Sequence, residues 1–101
     1  MKPDVSLFDL LNAVNAVLKR VTKRDDSRDV FEDRWTVSEK IEQIVKQLTT
    51  RERLNFSELF DGAMSRTEVV VTFLALLELV RLKQLRLEQP EVFGEIELRR
   101  A

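Results

Sequence analysis

Residues 65–82 read SRTEVVVTFLALLELVRL, and the reading of this stretch decides the fold. Ser65 is placed to cap the first free N–H groups of a helix, and Glu68 stands three residues on, where a capping box closes. Neither Pro nor Gly interrupts the stretch, so a helix of about five turns is expected. On a wheel of about 100° per residue, Leu76, Val69, Val80, Phe73, Leu77, Val70 and Leu74 fill one wide arc, broken by Arg81. That arc is expected to face the core. Val71, Ala75, Leu79 and Leu82 lie on the other side, among Glu68, Glu78, Thr67 and Thr72. A helix that is apolar on both sides is normally covered on both sides. The second cover is either another segment of this chain or another protein.

Composition narrows the function classes. The 101 residues suit one domain with an appendage, and 44% hydrophobic content supports a core. Charged residues make up 35% but nearly balance, at a net charge of −1. This gives no general attraction to nucleic acid or anionic membrane. The chain has neither Cys nor His, which removes disulfides, thiolate zinc sites and every His-based triad. Glu78 and Arg81 break the longest apolar run, so no membrane span is expected. Residues 1–4 lack the apolar core of a signal peptide. A cytoplasmic protein without metal or cofactor is expected.

Working outward, residues 6–24 read as an amphipathic helix capped at Ser6, with Asp9 in its first turn. Leu7, Leu10, Leu11, Val14, Val17, Leu18 and Val21 form its stripe, suited either to this chain's own core or to a partner. Residues 25–35, DDSRDVFEDRW, read as a charged linker anchored by Val30, Phe31 and Trp35. Its acidic cluster lacks the glycine turn and terminal Glu of a calcium loop. Thr36 and Glu39 form a second capping-box pair. The helix behind them has Val37, Ile41, Ile44, Val45 and Leu48 on its apolar face and Glu39, Lys40, Glu42, Lys46 and Gln47 on its polar face. Leu54–Phe56 reads as a short strand. A short helix capped by Ser57 follows, with Leu59 and Phe60 inward and Gly62 supplying a positive φ at its end.

After Leu82 the period changes from 3.6 to 2. Leu85, Leu87 and Gln89 alternate with Arg86 and Glu88; Ile96 and Leu98 alternate with Glu95, Glu97 and Arg99. Two half-buried strands follow, joined through PEVFG into an antiparallel hairpin. Pro90 ends the first strand, and Gly94 is expected to take a conformation closed to other residues. The fold class is therefore mainly α with a small antiparallel β-hairpin. The domains are an N-terminal helix (1–24), a linker (25–35) and a winged helix-turn-helix domain (36–101). The 65–82 helix stands where a recognition helix would, and the Pro90–Gly94 loop is the wing.

A DNA-binding transcription regulator is the alternative function that this topology raises, and the site chemistry opposes it. The outer side of the long helix, read as Glu68, Val71, Thr72, Ala75, Glu78, Leu79 and Leu82, is acidic and apolar. The wing offers Glu88, Glu91, Phe93 and Glu95. Base and phosphate contacts need Arg, Lys, Asn or Gln instead. Catalysis is not expected either: two glycines cannot build a phosphate loop, and Glu58 with Asp61 reads as a solvated pair. What remains is a protein-interaction module, with Val71, Leu79, Leu82 and Phe93 as candidate anchors. Phe93 could equally fold back on its own hairpin.

The run from Phe56 to Leu98 closely resembles the C-terminal domain of the bacterial kleisins, the segregation and condensation protein A family. The resemblance rests on FSELF (Phe56–Phe60), Ser65-Arg66, VVVTFLALLEL (Val69–Leu79), LRLEQ (Leu85–Gln89) and FGEI (Phe93–Ile96). Residues 6–24 resemble the helix preceding that domain, and the family's N-terminal kleisin domain has no counterpart here. The resemblance implies a winged helix that binds the head of an SMC ATPase in an SMC–ScpA–ScpB complex for chromosome condensation and segregation. It further implies a nucleoid-associated location and no hydrolysis by the domain itself. No small-molecule substrate, membrane contact or sequence-specific DNA contact is expected.

Overall fold

The computed structural model describes residues 5–24, 35–63, 65–91 and 94–101. Helix α1 (Leu7–Arg24) begins at a reciprocal cap. Asp9 N donates to Ser6 Oγ at 3.1 Å, and Ser6 N donates to the Asp9 carboxylate at 3.0 Å. Helix α2 (Val37–Thr50) opens on the expected capping box: Glu39 N reaches Thr36 Oγ1 at 3.1 Å, and Thr36 N reaches Glu39 Oε1 at 2.9 Å. Such reciprocal bonds satisfy donors that the first turn leaves free.

Strand β1 (Arg53–Asn55) leads into a 3₁₀ helix, Phe56–Phe60. Asn55, not Ser57, stands at its N-terminus, where Asn55 N donates to Glu58 Oε1 at 2.8 Å. The Ser57 N–H instead donates to Glu95 at 3.1 Å, tying this turn to the far loop. Helix α3 (Arg66–Arg81) follows, then β2 (Leu85–Glu88) and β3 (Glu97–Arg100). The sheet has the order β1-β3-β2, antiparallel throughout, with Leu54 and Leu87 both opposite Leu98. The architecture is mainly α with a small antiparallel sheet, one strand larger than the expected hairpin.

One core joins all of these elements. Leu10, Val14, Val17 and Val21 of α1 lie in the same buried cluster as Ile44, Leu48, Phe56, Phe60, Leu76, Leu79 and Leu98. Thus α1 packs chiefly on α3 and on the 3₁₀ helix. Phe56 and Phe60 stack at 5.0 Å between centroids, tilted by 48°. The period-3.6 reading of α1 needs one refinement: Leu7 and Leu11 of its stripe are exposed.

Neither glycine takes a positive φ; among the described residues that conformation belongs to Lys83, at 62°. Lys83 ends α3, where Gln84 N bonds Leu79 O at 2.9 Å and Lys83 N bonds Val80 O at 3.0 Å. These two bonds form a Schellman cap, in which a left-handed residue usually sits at this place. At Gly94 the backbone approach is close instead: a Cβ there would come within 3.1 Å of the Glu91 carbonyl oxygen. The expected linker, Trp35 apart, lies outside the described residues, as does Phe93.

Candidate protein-docking face

Helix α3 has two unlike sides, and the structure turns them differently from the hydrophobic wheel. The inward side carries Glu68, Val69, Thr72, Ala75, Leu76 and Leu79, all buried. Val70 and Leu74, expected in the core, are 45% and 46% exposed. Phe73, Leu77 and Val80 are half-buried at the border. The helix is therefore rotated by about 110° from the arc that hydrophobicity selects, taking about 100° per residue.

The polar inward residues are bonded inside the fold. Lys40 of α2, expected on the polar face, is buried, and its Nζ donates to Glu68 Oε2 at 2.7 Å. Both side chains are under a tenth exposed. Lys40 also donates to Gln43 at 3.3 Å and lies 4.1 Å over the Trp35 ring. Glu68 is held by the cap, where its N–H donates to Ser65 Oγ at 3.1 Å. Thr72 Oγ1 donates to the Glu68 carbonyl at 2.8 Å, so its hydroxyl is satisfied inside the core. Leaving Val70 and Leu74 nearly half exposed forgoes roughly half of the about 1.5–3 kcal/mol that full burial of each side chain contributes.

The candidate anchors divide accordingly. Leu79 is 1% exposed and belongs to the core, so it is no surface anchor on this chain. Val71 is half-buried. Leu82 is 47% exposed, one residue beyond α3. Val70 and Leu74 were missed because the wheel weighs side chains by hydrophobicity. The signal for them was the spacing of Glu68, Thr72 and Ala75, three polar or small residues on one side of a long helix.

The outward side of α3 is largely apolar, and its charged residues are Arg66, Glu78 and Arg81. Arg81 forms a two-point pair with Glu78, at 2.6 Å and 3.1 Å. That pairing lowers the Glu78 carboxyl from its ordinary value and raises the Arg81 guanidinium. Of the two carboxylates expected to repel DNA here, Glu68 is therefore internal and Glu78 is neutralised. The hairpin is less acidic than its sequence: Glu88 is buried near Arg99 (3.5 Å) and Arg86 (4.0 Å), and Glu95 holds Ser57. On the sheet, Arg53, Arg99 and Arg86 stand in one row beside Glu97 and Glu88 in the next. Each of these arginines lies within 4.0 Å of a carboxylate. No helix among the described residues is long and apolar enough to cross a membrane.

An open cleft of about 440 Å³ runs between α1 and the β2–β3 loop, lined by Asn12, Ala13, Ala16, Phe56 and Gln89 among others. Its acids are engaged, Asp9 in the α1 cap and Glu95 with Ser57. Among the described residues no cluster of acidic side chains is arranged to hold a metal ion.

A protein-family profile described as segregation and condensation protein ScpA matches residues 1–100. The chain belongs to that family. It is 33% identical over 93 residues to segregation and condensation protein A of Brevibacillus brevis, covering 92% of this chain and 37% of that protein. The corresponding protein of Caldanaerobacter subterraneus is 33% identical over 94 residues, 93% of this chain and 38% of its own length. That of Lactococcus lactis subsp. lactis is 34% identical over 99 residues, 96% and 41%. The chain thus spans about two-fifths of the length of these curated relatives.

Proposed function

We propose that this chain is a non-enzymatic docking module in chromosome condensation and segregation. In this reading it is the C-terminal winged-helix part of a bacterial kleisin, with α3 in the recognition-helix position and the Pro90–Gly94 loop as the wing. Its partner is the head of an SMC ATPase. The companion protein ScpB joins the complex through other parts of the kleisin, and the assembly works at the nucleoid in the cytoplasm.

The observation that carries this reading is the outward side of α3, where Val70 and Leu74 are nearly half exposed and the cations of the helix are Arg66 and the Glu78-paired Arg81. Apolar anchors gain from a protein interface, where a few buried side chains supply most of the affinity. They gain little from a phosphate backbone, which needs several Lys or Arg contacts. Val71 and Leu82 flank the stripe and extend the proposed contact, and Phe93 is its candidate on the loop. Family membership and the names of the relatives support the cellular role.

A pull-down with a purified SMC head tests the reading. Retention of the head, with affinity only weakly dependent on salt, is the expected outcome. No retention, together with duplex DNA binding whose affinity falls steeply with salt, would favour a DNA-binding regulator instead.

A further inference from the structure

We infer that the buried Lys40–Glu68 ion pair is a positioning device, which selects the side of α3 that faces solvent and so keeps the apolar stripe outward. A helix set by hydrophobicity alone would carry Val70, Phe73, Leu74 and Leu77 inward. This helix carries Glu68, Thr72 and Ala75 inward instead, and leaves Val70 and Leu74 exposed. The pair joins the two most extensively packed helices, α2 and α3, through a 2.7 Å contact. The Lys40 ammonium finds further partners in Gln43 and the Trp35 ring. Turning α3 by the 110° that favours the apolar arc would pull the Glu68 carboxylate off Lys40 and leave a buried charge alone. A separated buried charge is far more unfavourable than two exposed aliphatic side chains. An ion pair of this kind adds little net stability over an apolar pair, and its best-attested use is to specify one packing among several. The device is independent of which partner occupies the stripe.

The chain contains no cysteine, so a single introduced thiol reports its own position. L74C marks the outward side and A75C the inward side; V70C and L79C provide a second such pair. Thiol-labelling rates are compared in three backgrounds: the parent, K40M/E68L, and the reversed pair K40E/E68K. In the parent, L74C is expected to react at least about a hundredfold faster than A75C, because a core position reacts only after opening. In K40M/E68L that ratio is expected to fall at least about tenfold, while the thermal midpoint stays within a few degrees. Melting at an unchanged temperature separates a changed setting of α3 from simple unfolding. The reversed pair is expected to restore the parental ratio. A ratio in folded K40M/E68L within about threefold of the parent would overturn the inference, since apolar packing would then set the face unaided. If K40M/E68L does not fold, the reversed pair decides. A folded K40E/E68K chain with the parental ratio supports the device, and a folded one with a collapsed ratio overturns it.

Discussion

Toward the core, helix α3 presents Glu68, Thr72 and Ala75; toward solvent it presents Val70 and Leu74. The usual distribution of polar and apolar groups is partly inverted between these sides. Each inward polar group has a partner: Glu68 with Lys40, and Thr72 with the Glu68 carbonyl. The outward Val70 and Leu74 are left nearly half exposed by the described residues. The contrast teaches that hydrophobicity fixes how much of α3 is covered, while directional bonds fix which part. It also separates residues that hold the fold from residues free to serve a partner.

The contrast can be broken most severely at the ion pair. Glu68→Ala strands the Lys40 ammonium in the core, and a loss of about 3–5 kcal/mol is expected in urea melts. A loss below about 1 kcal/mol would mean that water already reaches the pair. Next come matched truncations on the two sides. Leu79→Ala should destabilise by about 2–5 kcal/mol through the cavity it leaves, whereas Leu74→Ala should stay within about 1 kcal/mol, as surface changes do. Equal losses would erase the distinction between the sides. Further along the helix, Lys83→Gly relieves the left-handed backbone at the cap. Balancing about 1–2 kcal/mol of αL strain against the extra entropy of Gly, a gain of about 0.5–1 kcal/mol is expected. Unchanged or lower stability would show that the Lys83 side chain makes a compensating contact.

The smallest effect concerns acid. Hydrogen bonds from the Arg51 side chain and the Asn55 backbone hold the Glu58 carboxyl below its ordinary value of 4.5. A carboxylate depressed in the folded state contributes its stability above the unfolded value, and that contribution is lost as pH falls through the folded one. An NMR titration of Glu58 should therefore show a midpoint below 4.5, moving up toward 4.5 in Arg51→Ala. A midpoint that ignores Arg51 would remove the pair from the folded state.

Most elements of the fold were legible because their signals are local. The caps at Ser6, Thr36 and Ser65, the 3.6 period of the helices and the period-2 strands depend on near neighbours in sequence. Pairing of β1 with β3 joins residues far apart in the chain and left no local trace. The outward side of α3 is misread by the wheel for the same reason. Lys40 and Glu68 are 28 residues apart, and each alone looks like a surface charge. The glycines misled in another way, since Gly94 serves close approach and the left-handed turn went to Lys83. Leu82 kept its exposed place because it follows the helix rather than lying within it.

The central claim is that the outward side of α3 meets protein, and calorimetry with a purified SMC head tests it most directly. The variant V70E/L74E places two carboxylates on the exposed stripe without touching the core. The expected result is at least a tenfold weaker affinity for the head, about 1.4 kcal/mol or more, with an unchanged thermal midpoint. Parental affinity in the folded variant would contradict it.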